Sequence, residues 1–238
     1  MIAFRHVRVA ALAAGLSVAA SALSGCISLF PKAEPSQLYR FGDAAAPAEA
    51  AAAAADAQPA GVVMGPIGFP RAAIGDQILT VTGNEAAYIK GARWVAPASV
   101  LFQEDAERSF DRLGRRARLL QRGEIGAARA LLRLDVRAFE ADYAAAGAAP
   151  TVSVVVHASL SQPNGMMLDE RTFQARQPAA ENRVSAIVSA FDQATSQVLT
   201  GIVGWTDQVA PTAPMRDLGP EPARPIFRPG PRVHTPGR

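Results

Sequence analysis

The feature that most constrains this 238-residue chain is an alternation of apolar and polar residues that recurs in its second half. Leu132, Leu134, Val136 and Ala138 alternate with Arg133, Asp135, Arg137 and Phe139, and Val152, Val154, Val156, Ala158 and Leu160 follow the same rule. Successive side chains of a strand point to opposite faces, so both stretches read as strands with one face in a core. Pro163-Asn164-Gly165 marks a turn, and a third strand at about Met167 to Ala175 completes an antiparallel meander.

Helical periods frame the meander. From Pro97, suited to a first helical turn, Phe102, Ala106, Phe110 and Leu113 recur at helical spacing and stop at Gly114. After Pro178, the residues Val184, Ile187, Phe191, Thr195, Val198 and Ile202 predict a second helix ending near Gly204-Trp205. Upstream, Gln77 to Thr82 and Ala86 to Lys90 read as two short strands joined around Gly83-Asn84. Grouped strands with one helix before and one after predict an α+β fold, a mainly antiparallel sheet with two amphipathic helices packed on one face. The other face carries Arg133, Asp135, Arg137, Ser153, His157 and Ser159, free to meet water or a partner. Trp94 and Trp205 border the two helices and are read as closing the core at their ends, with exposed lipid or partner contacts as the alternative.

The ends of the chain are different in kind. Arg5, His6 and Arg8 precede a fifteen-residue apolar run, Val9 to Leu23, which is short for a spanning helix and reads as an export signal over residues 1–25. Leu23-Ser24-Gly25-Cys26 resembles the bacterial lipobox, in which a branched apolar residue and two small residues precede a cysteine that receives diacylglycerol. Cys26 is the chain's one cysteine, so it closes no intramolecular disulfide, and lipid attachment accounts for it. An ordinary signal with a coincidental cysteine is the alternative. Ile27 stands where an aspartate, by resemblance to the bacterial sorting rule, retains a lipoprotein at the inner membrane, which points to the outer one.

Residues 26–36 then form a lipidated tether and residues 37–209 the domain, interrupted by a low-complexity run at 44–60 in which twelve of seventeen residues are Ala. "SQLYRFG", residues 36–42, sets Leu38 and Arg40 on one side and Tyr39 and Phe41 on the other, as a short strand does. Residues 210–238 hold eight of the 18 prolines interleaved with Arg and are read as a disordered tail.

Composition narrows the function. Removing residues 1–25 takes Arg5 and Arg8 from the 24 basic residues and nothing from the 21 acidic ones, so the mature balance is +1 and nucleic acid is not an expected partner. Of three histidines, His6 lies in the signal and His234 in the tail, leaving His157 alone on a strand. No CxxC, HExxH, G-x-S-x-G or P-loop motif occurs, and Gly61, Gly65 and Gly68 lack dinucleotide-binding spacing and instead suit a bend or bulge. No catalytic residue, metal or cofactor is expected.

Taken in order, "LSGCISLFPKAEPSQLYRFG", "GARWVAPASVLFQEDAERSFDRLG" and "RTFQARQPAAENRVSAIVSAFDQATSQVLTGIVGW" resemble the ABC-type transport auxiliary lipoprotein family over roughly residues 23 to 206. The resemblance implies a non-enzymatic, lipid-anchored accessory of an MCE-domain and ABC permease/ATPase system that moves phospholipid or other apolar cargo. It places the domain on the periplasmic face of the outer membrane. The oligomeric state stays open, a homo-oligomer included. The alternative reading is a structural or assembly lipoprotein, a pilotin or a cell-wall-associated factor. The Ala-rich run and the Arg/Pro tail depart from the family pattern.

Overall fold

The structure, a computed structural model, describes residues 36–42 and 58–213. The export signal, Cys26, the tether before residue 36, most of the Ala-rich run and the tail from residue 214 lie outside the described residues; residues 210–213, read as part of the disordered tail, instead form a short 3-10 turn with Ala210 and Ala213 buried.

Eight strands form one sheet: β1 (Gln37–Tyr39), β2 (Ala60–Met64), β3 (Gln77–Thr82), β4 (Glu85–Trp94), β5 (Ala117–Leu119), β6 (Ala130–Asp142), β7 (Thr151–Ser161) and β8 (Met167–Pro178). Two helices accompany them, α1 (Ala98–Leu113) and α2 (Val184–Val209). β6 is the spine. One of its edges pairs antiparallel with β7 from Leu131↔Ser161 to Asp142↔Thr151, and β7 pairs in turn with β8. Its other edge is shared by β2 and β3, both parallel to it.

The expectation of a mainly antiparallel sheet is therefore corrected to a mixed one: of the six strand pairs with a defined register, β2–β5, β2–β6 and β3–β6 are parallel. The physical reason is the length of the connections. Between β2 and β6 the chain makes the β3–β4 hairpin, α1 and β5, and a crossover of that length returns a strand in the same direction, whereas a tight turn reverses it. The glycine-rich segment after β2 stays on the β6 edge. Gly68 forms a parallel bridge to Asp135, and a Cβ there would collide with the Asp135 carboxylate.

A second correction concerns β6 itself. The register shifts between Val136 and Ala138, which pair with Val156 and Val155, so Arg137 is the extra residue of a bulge. A bulge inverts the side-chain alternation beyond it. Ala130, Leu132, Leu134 and Val136 are buried before it, and Phe139 and Ala141 after it, whereas simple alternation sets Phe139 beside the arginines.

Phe139 consequently sits under both helices. Its ring centroid lies 4.8 Å from that of Phe191 on α2, 5.2 Å from Phe41, 5.4 Å from Phe69 and 6.4 Å from Phe102 on α1. Both helices thus cover one face of the sheet. Trp94 completes the group, edge-on to Phe41 at 5.0 Å and to Phe191 at 5.3 Å. Trp205 is also buried, with its indole N–H donating to Asp169 Oδ2 at 2.7 Å. Both tryptophans close the core. α2 also outlasts the predicted end at Gly204-Trp205: Gly204 is exposed, while Trp205 and Thr206 continue the buried stripe of Val198 and Ile202. Burial of that stripe outweighs the roughly 1 kcal/mol that a helical glycine costs.

Phe41→Ala is expected to lower unfolding stability by about 3–5 kcal/mol, since it empties the centre of the ring cluster. Leu38→Ala, three residues earlier on an exposed position, is expected to change it by less than about 0.5 kcal/mol. Denaturant unfolding of the two variants checks the contrast.

Candidate functional site

Two surfaces stand out among the described residues: the sheet face that the helices leave open, and the point where the chain enters the fold. Among the described residues, no group of three or more His, Cys, Asp or Glu side chains is arranged to hold a metal ion.

The open face is a ladder of polar side chains supplied by the outward positions of β6, β7 and β8. Arg137 Nε lies 3.6 Å from Asp135 Oδ2. His157 places Nδ1 3.3 Å from Thr172 Oγ1 and Nε2 3.7 Å from Glu170 Oε2. Arg176 reaches Asp142 at 3.8 Å. Beyond the bulge, the face dips into an open hollow of about 520 Å³ lined by Ala138, Glu140, Asp142, Ser153, Val155 and Arg176. Burial raises the Glu140 carboxyl above the ordinary range, and the neighbouring Asp142 adds to the rise. Of the polar residues expected on this face, Arg133, Asp135 and Arg137 are exposed, His157 and Ser159 half-buried, and Ser153 buried. The surface offers ion pairing and hydrogen bonding.

The entry point is β1 and the turn after it, which periodicity identified only as a short strand. Gly42 has φ +88° and is held between the two helices: its N–H donates to Asp192 Oδ1 on α2 at 2.6 Å, and Arg108 Nη2 on α1 donates to its carbonyl at 3.3 Å. A side chain at position 42 would collide with Asp105 and Arg108 as well as strain the backbone. A further carboxylate pins the far end of α1. Asp207 on α2 accepts from the backbone N–H groups of Arg115, Arg116 and Ala117 at 2.8–3.2 Å, fixing the turn into β5. Past β5, two 2.9 Å bonds from Arg118 and a third from the Gln121 N–H hold the Glu124 carboxyl down at about 2. Single carboxylates on the polar side of a helix give no sequence signal, and Asp192 and Asp207 went unrecognised for that reason. The predicted anchor residues Leu23, Ser24, Gly25 and Cys26 lie outside the described residues.

A sequence model of the family described as ABC-type transport auxiliary lipoprotein component matches residues 39–203, most of the chain and nearly the whole described fold. The chain belongs to the ABC-type transport auxiliary lipoprotein family. The family's description names an auxiliary component of transport. No match is found among curated protein sequences. Among solved structures, protein XCC0632 from Xanthomonas campestris superposes with a TM-score of 0.57 at 24% identity, covering 74% of this chain and 94% of its own. A second, described only as an uncharacterized protein, gives 0.54 at 12% identity, covering 72% and 99%. At these identities the likeness is one of fold. A lipoprotein family implies attachment to an envelope membrane, and no helix among the described residues is long and apolar enough to cross one.

Because burial favours the protonated Glu140, the folded state binds its proton more tightly than the unfolded chain does. Its ionised form therefore weakens the fold above the raised pKa, and the penalty vanishes below the ordinary Glu range near about pH 4. Glu140→Gln is expected to raise unfolding stability at neutral pH by less than about 0.5 kcal/mol. No gain is expected in acid, and urea unfolding at the two pH values measures the difference.

Proposed function

We propose that this auxiliary lipoprotein is anchored through acylated Cys26 on the periplasmic face of the outer membrane. There it serves an MCE-domain protein and its ABC permease/ATPase, moving phospholipid or other apolar cargo across the envelope. The observation that carries the reading is a lipobox ending at Cys26 only ten residues before β1, in a chain whose family is named for an accessory lipoprotein of ABC transport. Ile27, in place of aspartate, supports the outer membrane as the site of residence. Two or more acyl chains fix a protein to a bilayer where one gives only reversible binding. The domain's contribution is docking: one sheet face is closed by helices, and the other presents the charged ladder and hollow to the transporter's periplasmic part.

Cys26→Ala is expected to leave an unprocessed or soluble chain, while the wild type fractionates with outer membrane and carries a lipid mass on its N-terminal Cys26. An unmodified Cys26 in the membrane-bound mature protein overturns the anchor. Affinity purification of the wild type is expected to bring down MCE-domain and permease subunits. Recovery of a secretin or of peptidoglycan instead supports the assembly or cell-wall role.

A further inference from the structure

Large apolar side chains exposed on this domain are concentrated rather than scattered. Of the seven that the described residues expose, Met166 ends the β7–β8 turn and Met167 opens β8, and the other five, Leu38, Ile74, Tyr88, Val95 and Val100, come from four separate segments. Backbone hydrogen bonds bring those segments to one corner. The Val95 N–H donates to the Tyr39 carbonyl at 2.8 Å, the Trp94 N–H to Asp76 at 2.7 Å, and the Ala98 N–H to Gly75 at 2.8 Å. Ser99 Oγ donates to the Ile74 carbonyl at 3.2 Å, and the Tyr88 hydroxyl donates to Ala72 at 3.1 Å. The β1 edge, the end of β4, the loop before β3 and the first turn of α1 thus meet there. Leu38 is 62% exposed and Val95 53%, values that in the core of this same sheet are near zero.

The geometry points to this corner as a lipid-contact surface that rests on the membrane holding the Cys26 acyl chains. The inference rests on the anchor reading above, and the length and destination of the tether select the occupant. Leu38 is the twelfth residue after Cys26, and residues 27–36, even fully extended, span at most about 35 Å. The exposed corner includes the first described strand, whose closeness to Cys26 in sequence confines it near the bilayer at high effective concentration, so weak apolar partitioning is enough to keep it there. Its composition suits an interface: aliphatic side chains to enter the acyl boundary, and a tyrosine whose hydroxyl is already satisfied. Arg71, exposed in the same loop, supplies a cation at headgroup level. Contact at this corner fixes the domain's orientation, which a tether alone leaves free.

The test uses the full lipidated protein, in which the acylated Cys26 leaves an introduced cysteine as the sole free thiol. Val95→Cys and Met166→Cys, similarly exposed but separated by the width of the sheet, are each labelled with the fluorophore NBD. They are then reconstituted in phosphatidylethanolamine and phosphatidylglycerol vesicles containing nitroxide-labelled lipid. The expected result is a blue shift and strong nitroxide quenching at position 95, placing it within about 5–10 Å of the headgroup/acyl boundary, with water-like emission at 166. Equal, weak quenching at both positions overturns the inference and leaves the anchor standing. A blue shift at 95 without lipid quenching also overturns it, since it marks burial against a second copy or a protein partner. Mass spectrometry of the same sample separates these outcomes from failure of the anchor: an unacylated Cys26 removes both.

Discussion

The structure depends on Phe139 facing inward. Only 6% of the residues are aromatic, so the core has few large side chains, and the fold gathers six of them into one cluster, with Trp205 and Phe173 a separate pair. β1 and its turn contribute Phe41, the loop after β2 contributes Phe69, β4 contributes Trp94, and the two helices contribute Phe102 and Phe191. Phe139 packs against all five. Around that knot the walls are small: Ala98, Ala106 and Ala194 are fully buried on the helices, as are Ala130, Ala141 and Ala158 on the strands. Alanine walls let helices approach a sheet closely, but they contribute little apolar area each, so loss of one ring removes a large part of what holds the layers together.

The inward Phe139 exists only because of the Arg137 bulge, and the bulge also shapes the opposite face. Before it, Arg133 and Asp135 stand outward; after it, Ala138, Glu140 and Asp142 do, and the small Ala138 beside Val155 leaves room for the hollow. One extra residue in a strand thus deepens the core on one side and creates relief on the other. The mixed sheet brings a related requirement. Its parallel pairs are short, three registered residues for β2 with β5 and three with β6, so the connecting loops need other fixings. Asp207 and Asp192 supply them by accepting backbone N–H groups from loops ninety or more residues away, charge-assisted bonds of the stronger kind.

What was legible in the sequence was what is local. The periods of α1, β7 and the β3–β4 hairpin are set by neighbours along the chain; α1, β7 and β3 are found where periodicity puts them, while β4 runs on to Trp94, four residues past its predicted end at Lys90. The bulge was illegible because it is decided by how β6 registers on β7, nineteen or so residues away, and the alternation 132, 134, 136 gives no hint that it breaks at 137. Parallel partners were illegible for the same reason, although the uninterrupted apolar Val62-Val63-Met64 is the pattern that a strand buried on both faces shows. β5, three residues long, carries no pattern at all. For function, the proposed lipobox Leu23-Ser24-Gly25-Cys26 is a contiguous pattern, visible without any fold. The exposed apolar corner is scattered over positions 38, 74, 88, 95 and 100, where each residue alone passes for an ordinary core or surface choice.

Under the anchor proposed above, load from the tether enters the fold at β1 and the turn after it. β1 is three residues long at the sheet edge, and so short a strand is a weak attachment if it relies on its ladder alone. The next residues carry the strength. Phe41 is 1% exposed inside the ring knot, and Gly42, one residue on, is gripped by Asp192 of α2 on its N–H and by Arg108 of α1 on its carbonyl. Force entering at residue 36 thus meets the short β1 ladder first, and behind it a buried aromatic and two charge-assisted hydrogen bonds to separate helices. That arrangement suits a domain whose work is to stay placed. The glycine makes it possible, because only a residue without Cβ accepts φ +88° with Asp105 and Arg108 so close.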